Sequence, residues 1–187
     1  NKNEYYLIED PKDIDNWIRE AEEVGEVALD TETSSLDPHQ ADLIGVSLST
    51  KIGKACYIPI GHNSKKTINK ELVLKKLKPL LEDSSIKKIG QNIKFDFIVL
   101  FKHGINISSM EDTMLMSYVL DAGKNRHNMD TLSEIHLGHK TIPFKDLVGT
   151  GKKEINFSEV DVEEAKNYAA EDADITYRLF KKFSKSL

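Results

Sequence analysis

Short runs of apolar and β-branched residues recur through the first half of the chain, separated by polar or glycine-containing segments. Such runs are typical of strands in a buried sheet. They predict strands at residues 4–8, 26–31, 42–49, 54–60 and 85–90. Because the second, third and fourth of these strands follow one another through short connections, they predict an antiparallel meander.

Apolar residues spaced three and four positions apart indicate helices with one buried face. This spacing predicts helices at residues 13–23, from Asn69 through Leu81, 91–101, 113–120, 131–137 and 161–183. Asn69 and Ser158 are expected to cap two of them, and Leu72 is expected to face the core. Residues 138–158 lack periodicity and predict loops with a short helix near Pro143. Strands first, then a helix–strand–helix unit, then helices predict an α/β fold, a mixed sheet flanked by helices.

The composition is that of a globular protein, with 39% hydrophobic and 30% charged residues. We expect residues 1–187 to form one domain. No apolar segment approaches the roughly 18 residues of a membrane span. The single cysteine, Cys56, excludes an internal disulfide and suits a reducing compartment. The net charge of −5 argues against a protein that coats nucleic acid by charge alone.

Two carboxylates, Asp30 and Glu32, follow directly on the apolar residues of the second predicted strand. Residues two apart on a strand point to the same face, so these side chains should lie side by side. Packed together they repel, unless a positive charge lies between them. This pair alone leaves two interpretations open. It is either an acidic strand end that meets solvent, or part of a divalent metal site completed by oxygen ligands from elsewhere in the chain.

The segment after the fifth predicted strand carries Asn92 and Asp96. Asn92 is most simply a helix cap. Asp96 lies among Phe95, Phe97 and further apolar residues, where an unpaired carboxylate would be costly to bury. It therefore either has a partner or lies on the exposed stripe of its helix, and the sequence leaves both interpretations open.

The last predicted helix carries Tyr168 and Asp172, four residues apart and so neighbours on one face. Alanines between and beside them would let this helix approach another element closely. The alternative is an acidic face in contact with solvent, which suits Glu171 and Asp174 better than Asp172.

Taken together and in this order, the three pairs Asp30-x-Glu32, Asn92-x-x-x-Asp96 and Tyr168-x-x-x-Asp172 resemble one family. This is the proofreading 3′–5′ exonuclease domain of bacterial DNA polymerase I, in the tyrosine-containing branch of the four-carboxylate exonucleases. The resemblance covers nearly the whole chain. The segments that also match are residues 30–36, 88–94, 112–115, 126–130 and 171–174.

The resemblance implies a ribonuclease H-like sheet and a two-metal-ion hydrolysis of DNA that releases nucleoside 5′-monophosphates. The residues that it implies to be catalytic are Asp30, Glu32, Asp96, Tyr168 and Asp172. The four carboxylates would hold two divalent ions, Mg²⁺ or Mn²⁺, which stabilise the entering and leaving oxygens. Tyr168 would orient the attacking water. Phe95 stands where the family often has tyrosine.

The resemblance also implies a substrate and a setting. Leu36 and Phe157 would wedge against the terminal bases, and Gln91, Asn92 and Arg126 would lie near the strand and its phosphates. The partner would be a single-stranded or frayed 3′ end of DNA, together with the polymerase domain of the same parent chain. The location would then be the bacterial cytoplasm, associated with the nucleoid. We expect the chain to be a domain cut from a longer polymerase.

Two other functions fit parts of the sequence. One is an exoribonuclease of the same fold, similar to ribonuclease D, because the motifs are shared across the branch. The other is a non-catalytic domain, a scaffold or a module that binds single strands. The loss of a carboxylate would mark that second case, and all four are present.

Overall fold

A mixed sheet forms the centre of the computed structural model, which describes residues 3–121 and 127–187. The strands in the described residues are β1 (Glu4–Leu7), β2 (Glu26–Thr33), β3 (Leu43–Lys51), β4 (Lys54–Pro59), β5 (Lys87–Gly90) and β6 (Met110–Asp112). Their order across the sheet is β1-β4-β3-β2-β5-β6. The β2, β3 and β4 strands pair antiparallel, and the other neighbours pair parallel. The predicted meander and the predicted mixed sheet are both confirmed.

Helices cover both faces of this sheet. They are α1 (Pro11–Val24), α2 (Lys70–Glu82), α3 (Ile93–Phe101), α4 (Thr113–Asp121), α5 (Met129–Leu137), α6 (Lys145–Val148) and α7 (Val162–Ser184), with 3₁₀ turns at Gly151–Lys153 and Phe157–Glu159. Val27 and Leu29 of β2 pack in one apolar cluster with α1 and α2, whereas Ala28 packs in another with α4, α5 and α7. Successive strand residues point to opposite faces, so α7 covers the face opposite to α1 and α2.

Local sequence explains where several helices begin and end. Asp10 caps α1 by accepting a hydrogen bond from the Lys12 backbone at 3.0 Å, and Gly25 ends that helix in the left-handed conformation, φ 82°. Asn69 caps α2, as predicted. The cap of α7 is Asp161, and the prediction of Ser158 is wrong because Ser158 belongs to the preceding 3₁₀ turn.

Two further predictions differ from the structure. Leu72 is 39% exposed, because the buried stripe of α2 begins one position later, at Val73. Strand β6 was not predicted, since its three residues are too few to show an alternation. Within the described parts of the chain, no helix has the length and apolar character needed to cross a membrane.

Candidate active site

The β2 strand presents Asp30 and Glu32 on the face that α7 covers. Both residues have the same parity as Ala28, which packs against α7. Asp30 pairs with Ser47 of β3, and Glu32 pairs with Gly45 just before a register shift in the strand. The two carboxylates therefore project side by side, as the sequence predicts.

The α7 helix brings Asp172 onto this pair. Ala169, Ala170 and Ala173 are fully buried, and their small side chains let the helix pack closely on the sheet. One carboxylate oxygen from each of Asp30, Glu32 and Asp172 lies within 4.8 Å of the others. Two elements far apart in sequence thus place three acidic oxygens around one point.

Burial of these carboxylates raises their pKa values. Burial raises the pKa of Asp30 to about 6, although the Glu32 carboxyl and the Thr31 backbone N–H partly lower it. The pKa of Glu32 is raised well above its usual range, first by burial and then by Asp30 and Asp172. The pKa of Asp172 is also raised, first by burial and then by the charge of Asp30. Without a cation, the cluster therefore retains protons at a pH at which free carboxylates would be charged.

This arrangement fits a divalent cation. Glu32 is 8% exposed, so the interpretation of an acidic strand end in solvent is wrong. Asp172 is 9% exposed, so it does not lie on a solvated face of α7 either. The Oε1 atom of Glu32 is buried and has no hydrogen-bond partner among the described residues. Mg²⁺ and Mn²⁺ prefer hard oxygen ligands of this type. A cation among Asp30, Glu32 and Asp172 would satisfy the free oxygen and offset the repulsion.

Asp96 approaches the same strand from α3. It is 3% exposed, and its Oδ1 accepts hydrogen bonds from the Thr31 backbone N–H at 3.1 Å and from the Thr31 hydroxyl. The interpretation of Asp96 as part of an exposed stripe is therefore wrong, and its partner is Thr31. Burial, and then the nearby Asp30, raise its pKa well above the usual range. Asp96 lies beside the three clustered oxygens without being one of them.

A residue that the sequence analysis missed, Asp112, shapes the turn before α3. Its carboxylate accepts hydrogen bonds from the backbone N–H groups of Asn92 at 2.7 Å and Ile93 at 3.3 Å. Asn92 does occupy the N-cap position of α3, as predicted, but it is left-handed at φ 59° and its side chain makes no capping bond. Asp112 supplies the acceptor instead, and it also binds the Met114 N–H at 3.0 Å. The Asp-Thr pair at the start of α4 was a local signal for this role.

Gln91 and Arg126 are the other predicted substrate residues of this region. The Gln91 amide donates to the His127 carbonyl at 2.7 Å and accepts from the Thr113 hydroxyl. Its polar atoms are thus already engaged within the protein. Arg126 lies outside the described residues.

An open cavity of about 490 Å³ borders the carboxylates. Leu36 lines it and is 95% exposed, as a contact to a base requires. Phe157 also lines it, but it is 3% exposed because its ring packs against Phe144 (6.0 Å between centroids, nearly parallel) and Tyr168 (6.1 Å). Only a small part of the Phe157 side chain therefore faces the cavity.

Tyr168 is half-buried at the edge of the cavity, one helical turn before Asp172. Burial raises its pKa, and the charges of Asp172 and Glu32 raise it further. Its hydroxyl therefore stays protonated near neutral pH and is available as a hydrogen-bond donor.

The alternative interpretation of an acidic face in contact with solvent does not hold even for Glu171 and Asp174, which are both buried. Glu171 accepts a hydrogen bond from the Ile142 backbone N–H at 2.7 Å and pairs with His139 Nε2 at 3.2 Å. It thereby ties the loop after α5 to the helix that carries Asp172.

Asp174, about one turn after Glu171 on α7, ties the helix to the sheet. Its carboxylate accepts hydrogen bonds from the Tyr5 hydroxyl at 2.6 Å, the Gly53 N–H at 2.8 Å and Arg178 Nε at 3.0 Å. The sequence could not show these partners, because Tyr5 and Gly53 are distant along the chain. Each of these two carboxylates has its own partners, which sets them apart from the cluster around Asp30.

The mixed sheet and the acidic cluster at its central strand place the chain in the class of ribonuclease H-like proteins with a metal-binding acidic cluster. A solved structure with the same fold is the Brucella melitensis protein NrnC with bound Mg²⁺. Its TM-score is 0.69 at 27% sequence identity, with 99% of this chain and 81% of that chain covered.

Sequence comparison identifies the family. A family model described as a 3′-5′ exonuclease of DNA polymerase A type matches residues 5–187. DNA polymerase I of Rhizobium leguminosarum is 45% identical over 94% of this chain and 19% of its own length. DNA polymerase I of Pseudomonas aeruginosa is 43% identical over 94% of this chain and 20% of its own length. The chain belongs to this family, the 3′–5′ exonuclease domains of DNA polymerase I, and spans about a fifth of these curated relatives.

Proposed function

We propose that the chain removes nucleotides from the 3′ end of DNA in a reaction that depends on two divalent ions, Mg²⁺ or Mn²⁺. The products are nucleoside 5′-monophosphates, and the biological role is proofreading for a DNA polymerase. The observation that carries the proposal is the group of three acidic oxygens, from the partly buried Asp30 and the buried Glu32 and Asp172, within 4.8 Å of one another.

The chain's own residues would contribute as follows. Asp30, Glu32 and Asp172 would hold one ion, and Asp96 together with Asp30 would hold the second. Bound divalent ions supply charge stabilisation for the entering and leaving oxygens of an in-line displacement. The Thr31 backbone and hydroxyl fix the orientation of Asp96. The Tyr168 hydroxyl donates a hydrogen bond to the attacking water. Its raised pKa supports this role, because the hydroxyl keeps its proton and does not act as a base.

Substrate contacts in this proposal come from the rim of the cavity. Leu36 stacks on the terminal base, and the accessible part of Phe157 wedges beside it. Base stacking contributes roughly 1–3 kcal/mol per base with little sequence preference. Asn92, whose side chain is exposed, and Arg126 contact the phosphates. Gln91 contributes indirectly, by holding the His127 backbone.

The setting of the reaction belongs to the same proposal. Residues 1–187 are one domain of a longer chain, and the curated relatives, about five times as long, are named DNA polymerase I. The partners are then a single-stranded or frayed 3′ end and the polymerase domain of the parent chain. Proofreading would place the protein in the bacterial cytoplasm, at the nucleoid.

The experiment is product analysis on matched single strands of DNA and RNA that carry a label at the 3′-terminal nucleotide. With Mg²⁺, we expect labelled nucleoside 5′-monophosphate as the first product from DNA, and no product with EDTA or with the variant Asp30→Asn. Faster release from RNA would favour the exoribonuclease alternative. Binding of the strand without release would favour the non-catalytic one.

A further inference from the structure

A buried tyrosine and histidine lie behind the active site and take no part in the roles assigned above. The Tyr57 hydroxyl and His62 Nε2 are 2.6 Å apart. Tyr57 is fully buried, and His62 is 6% exposed. A buried hydrogen-bonded pair of this kind holds two side chains in one arrangement, because breaking it leaves polar groups without partners.

Gly45 makes room for this pair beside Glu32. A Cβ atom at Gly45 would lie 2.1 Å from the Tyr57 hydroxyl, so only glycine allows the ring to cross the strand there. Gly45 is also the residue that pairs with Glu32 across β2 and β3. The Tyr57 ring therefore lies against the β3 residue whose strand partner is Glu32, one of the clustered carboxylates.

The pair supports a series of aromatic rings that ends at Tyr168. The centroid of the His62 ring lies 5.6 Å from Tyr57, edge to face, and 5.6 Å from Phe157. Phe157 in turn packs 6.1 Å from Tyr168. The Asn63 N–H donates to the Ser158 carbonyl at 2.8 Å, which fixes the 3₁₀ turn of Phe157 to the segment of His62.

We infer that Tyr57 and His62 are positioning residues for the proposed reaction: they hold Phe157 and, through it, the ring of Tyr168, and so set the place of the Tyr168 hydroxyl beside Asp172. This inference rests on the proposed function. Geometry supports it because Tyr168 also contacts Phe144, at 5.7 Å, which itself packs on Phe157. Both of these aromatic neighbours of Tyr168 are thus linked to His62, Phe157 directly and Phe144 through Phe157.

The first test is a double-mutant cycle in single-turnover hydrolysis of a labelled single strand of DNA. We expect His62→Ala to lower the rate by about 10- to 100-fold, the scale of a small misplacement of a catalytic group. The rate is measured with enzyme in saturating excess, so that a weaker contact of Phe157 to the base does not limit it. In the Tyr168→Phe background the same change should then cost nothing further, because the hydroxyl that it misplaces is already gone. Losses that multiply, or an unchanged rate in His62→Ala, would overturn the inference.

A matched control separates positioning from general loss of stability. Val73→Ala removes part of a fully buried side chain on the other face of the sheet. It should lower the melting temperature and leave the single-turnover rate of the folded protein unchanged. If His62→Ala does not fold, Tyr57→Phe removes only one hydroxyl and serves in its place, with the same cycle.

A second measurement does not depend on catalysis. The chain has six tyrosines, so incorporation of 3-fluorotyrosine gives few ¹⁹F resonances, and Tyr168→Phe assigns the one from residue 168. We expect His62→Ala to shift that resonance and Val73→Ala to leave it in place. An unmoved Tyr168 resonance would overturn the positioning role. If the wild-type chain released no nucleotide, the proposed function would fail separately, while this spectrum would still report on the ring.

Discussion

The face of the sheet beneath α1 and α2 is lined by apolar side chains such as Val27 and Leu29. The face beneath α7 instead carries Asp30 and Glu32, to which α7 itself adds Asp172. Helices cover both faces, but the side chains that they cover are apolar on the first face and acidic on the second. Burial on the first face removes apolar surface from water and stabilises the fold, by about 1.5–3 kcal/mol for a large side chain. Burial on the second raises the pKa of every clustered carboxylate and so costs free energy whenever these groups are charged.

The apolar residues of the first face stabilise the fold. The acidic residues of the second are held together at a cost that the rest of the fold must offset. The α7 helix packs closely on the sheet through alanines, and this close packing lets the carboxylates meet. Large apolar residues at these positions would stabilise the fold more but would hold the helix further from the sheet. An acidic cluster in such a place is best explained by a ligand that binds there. Each face should therefore respond differently to substitution.

The largest expected effect is on the acidic face. Asp30→Asn should lower the single-turnover rate by about 10⁴-fold, the scale of removing one member of a catalytic unit. The melting temperature of the protein in EDTA should rise, because one of several mutually repelling groups is removed. Rate measurements and thermal melts on the same sample test both parts. A variant that lost activity by unfolding would contradict the comparison.

The next effect concerns Tyr168. Tyr168→Phe should reduce the rate by about 10²–10³-fold, as the removal of one hydrogen-bond donor does at other active sites. Metal affinity, measured by calorimetric titration with Mg²⁺, should stay unchanged. A loss as large as that of Asp30→Asn, with metal still bound, would show that the hydroxyl does more than orient water.

On the apolar face, Leu77→Ala should act on stability alone. Leu77 is fully buried in the cluster that joins α1, α2 and the sheet. The free energy of unfolding should fall by about 2–5 kcal/mol, from lost burial and the cavity left behind. Denaturant titration measures this change. The rate of the remaining folded protein should equal that of the wild type, and a reduced rate would mean that the two faces are coupled.

The smallest effect is a pH dependence. Because the pKa of Asp30 is raised to about 6 in the folded protein, from 3.8, the folded state binds a proton more tightly than the unfolded state. That contribution to stability is full below pH 4 and is lost as the pH rises through 6. The melting temperature of Asp30→Asn minus that of the wild type, both in EDTA, should therefore increase between pH 4 and 7. Excess Mg²⁺ should reverse the sign of this difference at pH 8, because only the wild type holds the ion well.

Sequence reasoning predicted most of the fold because the strands and helices that form the core repeat their apolar positions with a clear period. The meander of β2, β3 and β4 and the helix α2 are examples. β6 was missed because three residues carry no period, and Leu72 was misplaced because leucine occurs on both sides of the boundary of a buried stripe.

The site was predicted less evenly. The spacing of Asp30 and Glu32, and of Tyr168 and Asp172, follows from the geometry of one strand and one helix. The partners of Asp96, Asp174 and Glu171 could not be predicted, since they depend on contacts between distant segments. The burial of Phe157 was hidden for the same reason.

The hydrogen bonds that hold the middle of α7 to the rest of the domain have a consequence for hydrogen exchange. Asp174 binds β1 and the β3–β4 turn, Glu171 binds the loop after α5, and Asp172 lies between them at the acidic cluster. A local opening of this part of the helix would have to release all of these contacts at once. The backbone amides of residues 169–175 should therefore exchange with solvent only when the whole domain unfolds, whereas those of α4, whose Leu115 and Val119 are exposed, should exchange by smaller fluctuations.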